Sequence, residues 1–69
     1  MDAKEERDAT VVGNGFATVS EAARFLGLSR AKLYQIMDSR ELIYAKFGRS
    51  RRIPRRALHE YANSCLVRA

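Results

Sequence analysis

The segment 48-GRSRRIPRR-56 carries five arginines, Arg49, Arg51, Arg52, Arg55 and Arg56, around the only proline of the chain. Guanidinium groups at this density repel one another unless an anion meets them, and their planar donor forks fit phosphates and carboxylates best. A second run, 29-SRAKLYQ-35, offers hydroxyl, guanidinium, ammonium, phenol and amide groups in close succession. No set of residues in the chain is arranged for making or breaking bonds. His59 has no second histidine, Cys65 is the single cysteine, and there is neither a glycine-rich phosphate loop nor a nucleophile beside a base. The chemistry to expect is therefore non-covalent recognition of a polyanion, with no catalysis, no metal and no cofactor. His59, next to Glu60, reads as a solvated histidine.

The charge distribution points the same way. Residues 1–16 hold Lys4 and Arg7 against Asp2, Glu5, Glu6 and Asp8, a net −2, whereas residues 17–69 hold eleven Lys and Arg against Glu21, Asp38, Glu41 and Glu60, a net +7. About fifty residues at +7 attract nucleic acid more readily than an anionic membrane surface. Sixty-nine residues suffice for one small domain. One thiol fits a reducing compartment, no apolar run reaches the ~18 residues of a membrane span, and the polar start MDAKEERDAT is no signal peptide. These features predict a cytoplasmic, nucleoid-associated protein without a membrane contact. Residues 1–16 read as a disordered acidic tail and 17–69 as the domain.

The elements that must position the two polar runs follow from caps and periodicity. Thr18-Val-Ser-Glu21 has the form of a capping box, so order is expected from Thr18. A first helix over Val19–Leu26 then presents Val19, Ala22, Ala23 and Leu26, and Gly27 stops it. Ser29 is a second N-cap. From Arg30 to Asp38 the apolar residues Leu33, Ile36 and Met37 form one stripe, which leaves Arg30, Lys32, Tyr34 and Gln35 on the other face. Two short helices joined by Gly27-Leu28-Ser29 fit a helix-turn-helix and, taken alone, equally an ordinary helical hairpin. Ile43–Phe47 and Ser50–Ile53 read as a two-stranded wing around Gly48-Arg49, with Phe47 and Ile53 sharing the core face and Lys46, Ser50 and Arg52 outward. Pro54 forbids a central strand and suits the first turn of a third helix, along which Leu58, Tyr61, Ala62 and Cys65 recur as a packing stripe. The fold class is mainly α with a small β-hairpin: three helices plus a two-stranded wing.

On three motifs in order, the TVSEAA start, the LGLSRAKLY turn and helix, and the FGRSRRIPRRAL corner, the chain resembles the excisionase-type winged helix-turn-helix domains related to the DNA-binding heads of MerR-type regulators. The resemblance runs from Thr18 to about Leu66. It implies a sequence-specific double-stranded DNA-binding protein that favours excision of a prophage or mobile element beside an integrase or other recombinase. A small transcriptional repressor on the same fold is the alternative, and a protein-interaction module a further one. Members of the family often carry glycine just before the wing, where this chain has Arg40. Positive φ being costly for arginine, the exit of the second helix is expected to differ, with Met37-Asp38-Ser39 fraying into a 3₁₀ turn.

The resemblance also assigns roles. The second helix would lie in the major groove, its N-terminal residues nearest the bases. Arg30 suits guanine, Gln35 adenine and Ala31 a thymine methyl; Lys32 and Tyr34 suit base or phosphate, and Ser29 leaves the helix N-terminus near a phosphate. Arg49, Ser50 and Arg51 at the wing tip would enter the minor groove. Lys46, Arg52, Arg55 and Arg56 would follow the backbone. Six neutralised phosphates would give a slope of log K on log[salt] of about −5. MerR-type activators carry a long dimerisation helix and an effector domain, and nothing after the third helix supplies either. A lone head is therefore expected to be a monomer in solution that assembles head-to-tail on DNA.

Overall fold

The computed structural model describes residues 14–67, and the reading of residues 1–13 as a tail lies outside them. The chain runs β1 (Phe16–Thr18), α1 (Val19–Leu26), α2 (Arg30–Asp38), β2 (Ala45–Phe47), β3 (Ser50–Pro54) and α3 (Arg55–Ser64). The three helices and the hairpin have the expected order. The sheet has a third strand that the sequence reading did not expect: Phe16–Thr18, of which only Phe16 was assigned to the tail, pairs antiparallel with β3, giving the order β1-β3-β2.

The starts of α1 and α2 are fixed by side chains. The Glu21 amide donates to the Thr18 hydroxyl at 3.0 Å, and the Glu21 carboxylate accepts from the Thr18 amide at 2.9 Å. The two backbone and hydroxyl hydrogen bonds with Thr18, then Arg55 nearby, hold the Glu21 carboxyl below its ordinary value of 4.5. The Lys32 amide donates to the Ser29 hydroxyl at 3.1 Å. Both helix ends close in the same way. Gly27, at φ 69°, donates to Arg24 O, and Leu28 to Ala23 O. At the end of α2, Arg40 donates to Met37 O and Glu41 to Ile36 O. These are paired 5→2 and 6→1 bonds, and the second pair requires a left-handed residue at Arg40, which has φ 68°. The expected fraying does not occur: α2 remains helical to Asp38, because the paired bonds satisfy its last carbonyls while Arg40 takes the glycine conformation.

In the hairpin, Phe47 faces Ser50 directly, leaving the two-residue loop Gly48-Arg49. Gly48 has φ 63°, and Arg49 is not among the positive-φ residues, the sign pattern of a II′ turn. This register corrects the predicted faces. Ser50 and Ile53 are three apart, so Phe47 and Ile53 lie on opposite sides of the sheet. Ile53 is fully buried and Phe47 is exposed, its ring edge-on to Phe16 at 5.3 Å. Lys46, paired with Arg51, lies on the Ile53 side; Ser50 and Arg52 share the outer side with Phe47.

Pro54 also sits differently from the expectation. β3 is the central strand, and Pro54 is its last residue and the N-cap position of α3. The bond from the Arg55 amide to Gly15 O, at 2.9 Å, shows that Arg55 and Ile53 turn their polar groups toward β1. Pro54 therefore turns toward β2, which has already ended at Ala45 opposite Arg52, so the missing N–H interrupts no ladder bond.

The core is built from Ala17, Val19, Ala22, Ala23, Leu33, Ile36, Met37, Leu42, Ile53 and Leu58, with Leu26, Leu28, Tyr44 and Tyr61 against it. Leu33, Ile36, Met37, Leu42 and Ile53 are its fully buried large side chains, each contributing roughly 1.5–3 kcal/mol of burial. Ala22, with no exposed surface, allows α1 and α2 to approach closely. Cys65 departs from the packing stripe: α3 ends at Ser64 and the thiol is exposed. Among the described residues no helix is long and apolar enough to cross a membrane.

Candidate nucleic-acid interface

With Leu33, Ile36 and Met37 facing the core, the 100° step of the helix sets every other residue of α2. Ala31 and Gln35 form its outermost ridge, Arg30 and Tyr34 one flank, and Lys32 the other. The Arg30–Tyr34 flank faces the wing. The two residues line, together with Arg49, Ser50, Arg51 and Arg52 of the hairpin and Thr18, Val19 and Ser20 at the start of α1, one open groove of about 270 Å³. The Arg30–Tyr34 flank of α2 and the wing residues Arg49–Arg52 thus border one groove, with the start of α1 beside them.

The remaining site residues fall elsewhere. Lys32 lines an apolar depression with Leu26, Leu28 and Tyr61 on the opposite flank of α2. Lys46 lines another with Arg40, Ile43 and Tyr44 below the exit of α2. Arg55 pairs with Glu21 at 3.5 Å and Arg56 with Glu60 at 3.3 Å, and neither lines the groove. The arginine cluster that is contiguous in sequence is therefore divided in space: Arg49 and Arg52 open to the groove, Arg55 and Arg56 are held against acidic partners at the start of α3.

Arg51 has a third environment. The register turns it to the inner side of the sheet, so it is not an outward tip residue. Its guanidinium lies 5.1 Å from the Tyr34 ring centre and 4.7 Å from that of Tyr44, and its Nη1 donates to Asp38 Oδ1 at 3.0 Å. Arg52 Nη1 donates to the Arg51 carbonyl at 3.0 Å, which directs its side chain along the strand. His59 stacks edge-on against Phe25 at 5.0 Å.

Two groups of residues, one lining the groove and one holding Arg51, were missed in the sequence. Thr18 and Ser20 were read only as parts of a helix start, although the free amides of such a start are the signal for an anion nearby. Asp38 and Tyr44, which hold Arg51, gave no local signal, since their partner is brought to them by the hairpin.

Helices α1 and α2 with their glycine turn, the hairpin beside them and α3 behind define a winged helix-turn-helix protein. Residues 18–66 match the family described as "Helix-turn-helix domain", and the chain belongs to that family. It is also similar to a "Probable excisionase" of Saccharopolyspora erythraea, 51% identical over 45 residues, which cover 65% of this chain and 46% of that protein. The match thus spans just under half of the relative's length. No solved structure gives a significant match.

Proposed function

We propose that this chain is a sequence-specific double-stranded DNA-binding protein of the excisionase type, which binds beside a recombinase and biases it toward excision. The observation that carries the DNA reading is the shared groove of Arg30 and Tyr34 with Arg49–Arg52: one helix flank and one wing open to the same side. The named similarity to a probable excisionase supports the biological role. α2 enters the major groove with the Ala31–Gln35 ridge foremost, and Arg30 reads guanine from the wing flank. Arg49 and Ser50 reach the adjacent minor groove, while Arg52, Lys46 and Lys32 contact phosphates on either side. Each copy offers one recognition helix and one wing, so a monomer occupies each site and neighbouring copies stand head-to-tail.

The test separates a base reader from a backbone contact. Selection of bound sequences from a random duplex pool, followed by titration of wild type, Arg30→Ala and Arg52→Ala, should show Arg30→Ala losing discrimination at one base pair, worth about 1–3 kcal/mol. Arg52→Ala should weaken all sequences alike and flatten the salt slope by about 0.9. Equal effects of the two variants on all sequences would overturn the assignment, and absence of duplex binding would overturn the function.

A further inference from the structure

Arg51 is the one wing arginine whose charge is met from three directions inside the molecule. Tyr34 and Asp38 stand one turn apart on α2, and Tyr44 lies just before β2, so its three partners come from the recognition helix and from the entry to the hairpin. A planar guanidinium can stack on ring faces and still donate in its own plane to a carboxylate, which an ammonium cannot do. The Arg51 side chain is 23% exposed, while that of Asp38 is 64% exposed. This carboxylate lies on the same side as the proposed DNA face, where its own field repels phosphate.

Although Arg51 borders the groove, its guanidinium is taken up by these three partners, and we infer that it is a positioning residue that latches the wing to the recognition helix and does not itself contact DNA. The latch fixes the offset between Arg49 and Arg52 on the hairpin and Arg30 and Gln35 on α2, and so the distance between the two stretches of duplex they meet. This rests on the DNA reading above. It has a consequence opposite in sign to simple electrostatics: Asp38, an anion near a polyanion, favours binding.

The test uses the full chain with Asp38→Asn, Arg51→Ala, Tyr44→Phe and Tyr44→Leu. For a selected duplex, Asp38→Asn is expected to bind about threefold to fivefold more weakly than wild type, the scale of a lost exposed ion pair. Arg51→Ala should weaken binding without changing the salt slope. Tyr44→Phe keeps the ring face and should match wild type, whereas Tyr44→Leu should not. Tighter or equal binding by Asp38→Asn, or a slope flattened by about 0.9 in Arg51→Ala, the mark of a lost phosphate contact, would overturn the latch. A second measurement needs no DNA. Amide hydrogen exchange in β2 and β3 should quicken in Asp38→Asn and Arg51→Ala relative to α1, and unchanged hairpin protection would also overturn the proposal. If wild type binds no duplex, the DNA reading fails while the exchange result still decides whether the latch exists.

Discussion

Arg40 shows how a single backbone angle can be dictated by its surroundings against the preference of its own side chain. The paired bonds from Arg40 to Met37 O and from Glu41 to Ile36 O close α2, and Leu42, fully buried behind them, fixes the direction in which the chain must leave. Those two demands set φ at 68°, where an L-residue is disfavoured by roughly 1–2 kcal/mol. Glycine relieves that strain but loses more conformational freedom on folding, at a cost of about 0.5–1 kcal/mol. Arg40→Gly is therefore expected to stabilise the domain by about 0.5–1 kcal/mol, raising the thermal midpoint by several degrees for a chain of this size. Urea or thermal unfolding measures it, and a destabilised variant would mean that the arginine side chain contributes more at this turn than its backbone strain removes. The same residue marks where sequence reasoning failed for a physical reason. The energetic objection to positive φ at Arg40 was correct, but it was outweighed by the cap bonds and the burial of Leu42, neither of which is visible in local propensity.

At the scale of elements, the starts of α1 and α2 are the parts most firmly written in the sequence. Thr18 and Glu21 close the capping box reciprocally, and the Glu21 carboxylate is also 3.5 Å from Arg55 at the start of α3. One carboxylate thus ties the first helix to the third. Since hydrogen bonding to Thr18 and the charge of Arg55 depress its pKa below 4.5, its stabilising contribution is present above that ordinary value and is lost as pH falls through the lower folded value. Thermal unfolding of wild type and Glu21→Gln between pH 6 and pH 3 should therefore converge toward the acid end, with wild type the more stable at pH 6. A constant difference across the range would show that Glu21 acts by packing and not by charge. Boundaries of α1 and α2 were readable because caps, a glycine stop and a 3.6-residue stripe coincide there. β1 was not, because three residues are too few to show alternation and Thr18 is at once the last strand residue and the helix cap. The faces of the hairpin were misassigned for a related reason: whether Phe47 meets Ser50 or slips by one decides every side, and that register is set by the turn and by pairing with β1. For the candidate site, charge and spacing nominated residues, but their division between the groove, the contacts around Arg51 and the start of α3 was not legible. That division depends on which acidic side chain each arginine reaches.

For the molecule as a whole, the question is how much of the basic charge is available to a duplex. Of the eight cations assigned to the interface, Arg51, Arg55 and Arg56 are engaged with Asp38, Glu21 and Glu60. Arg30, Lys32, Lys46, Arg49 and Arg52 have no carboxylate partner among the described residues. Arg30, Arg49 and Arg52 share the groove, with Lys32 on the opposite flank of α2 and Lys46 on β2 beside the segment that leaves α2. A cation already neutralised by a neighbouring carboxylate displaces few counterions when phosphate approaches, so it adds little to the salt dependence even where it adds to the attractive field. Three phosphate contacts, by Arg52, Lys46 and Lys32, give a slope of log K on log[salt] of about −2.7, and the identity of the variants that change it matters more than the total. Arg52→Gln should flatten the slope by about 0.9, whereas Arg56→Gln, held at 3.3 Å by Glu60 outside the groove, should leave it unchanged while shifting the affinity slightly at low salt. Filter-binding or anisotropy titrations from about 50 to 200 mM salt resolve such differences. If Arg56→Gln flattens the line as much as Arg52→Gln, then α3 lies against the duplex, and the groove between α2 and the wing is only one part of a wider contact that wraps the start of the third helix.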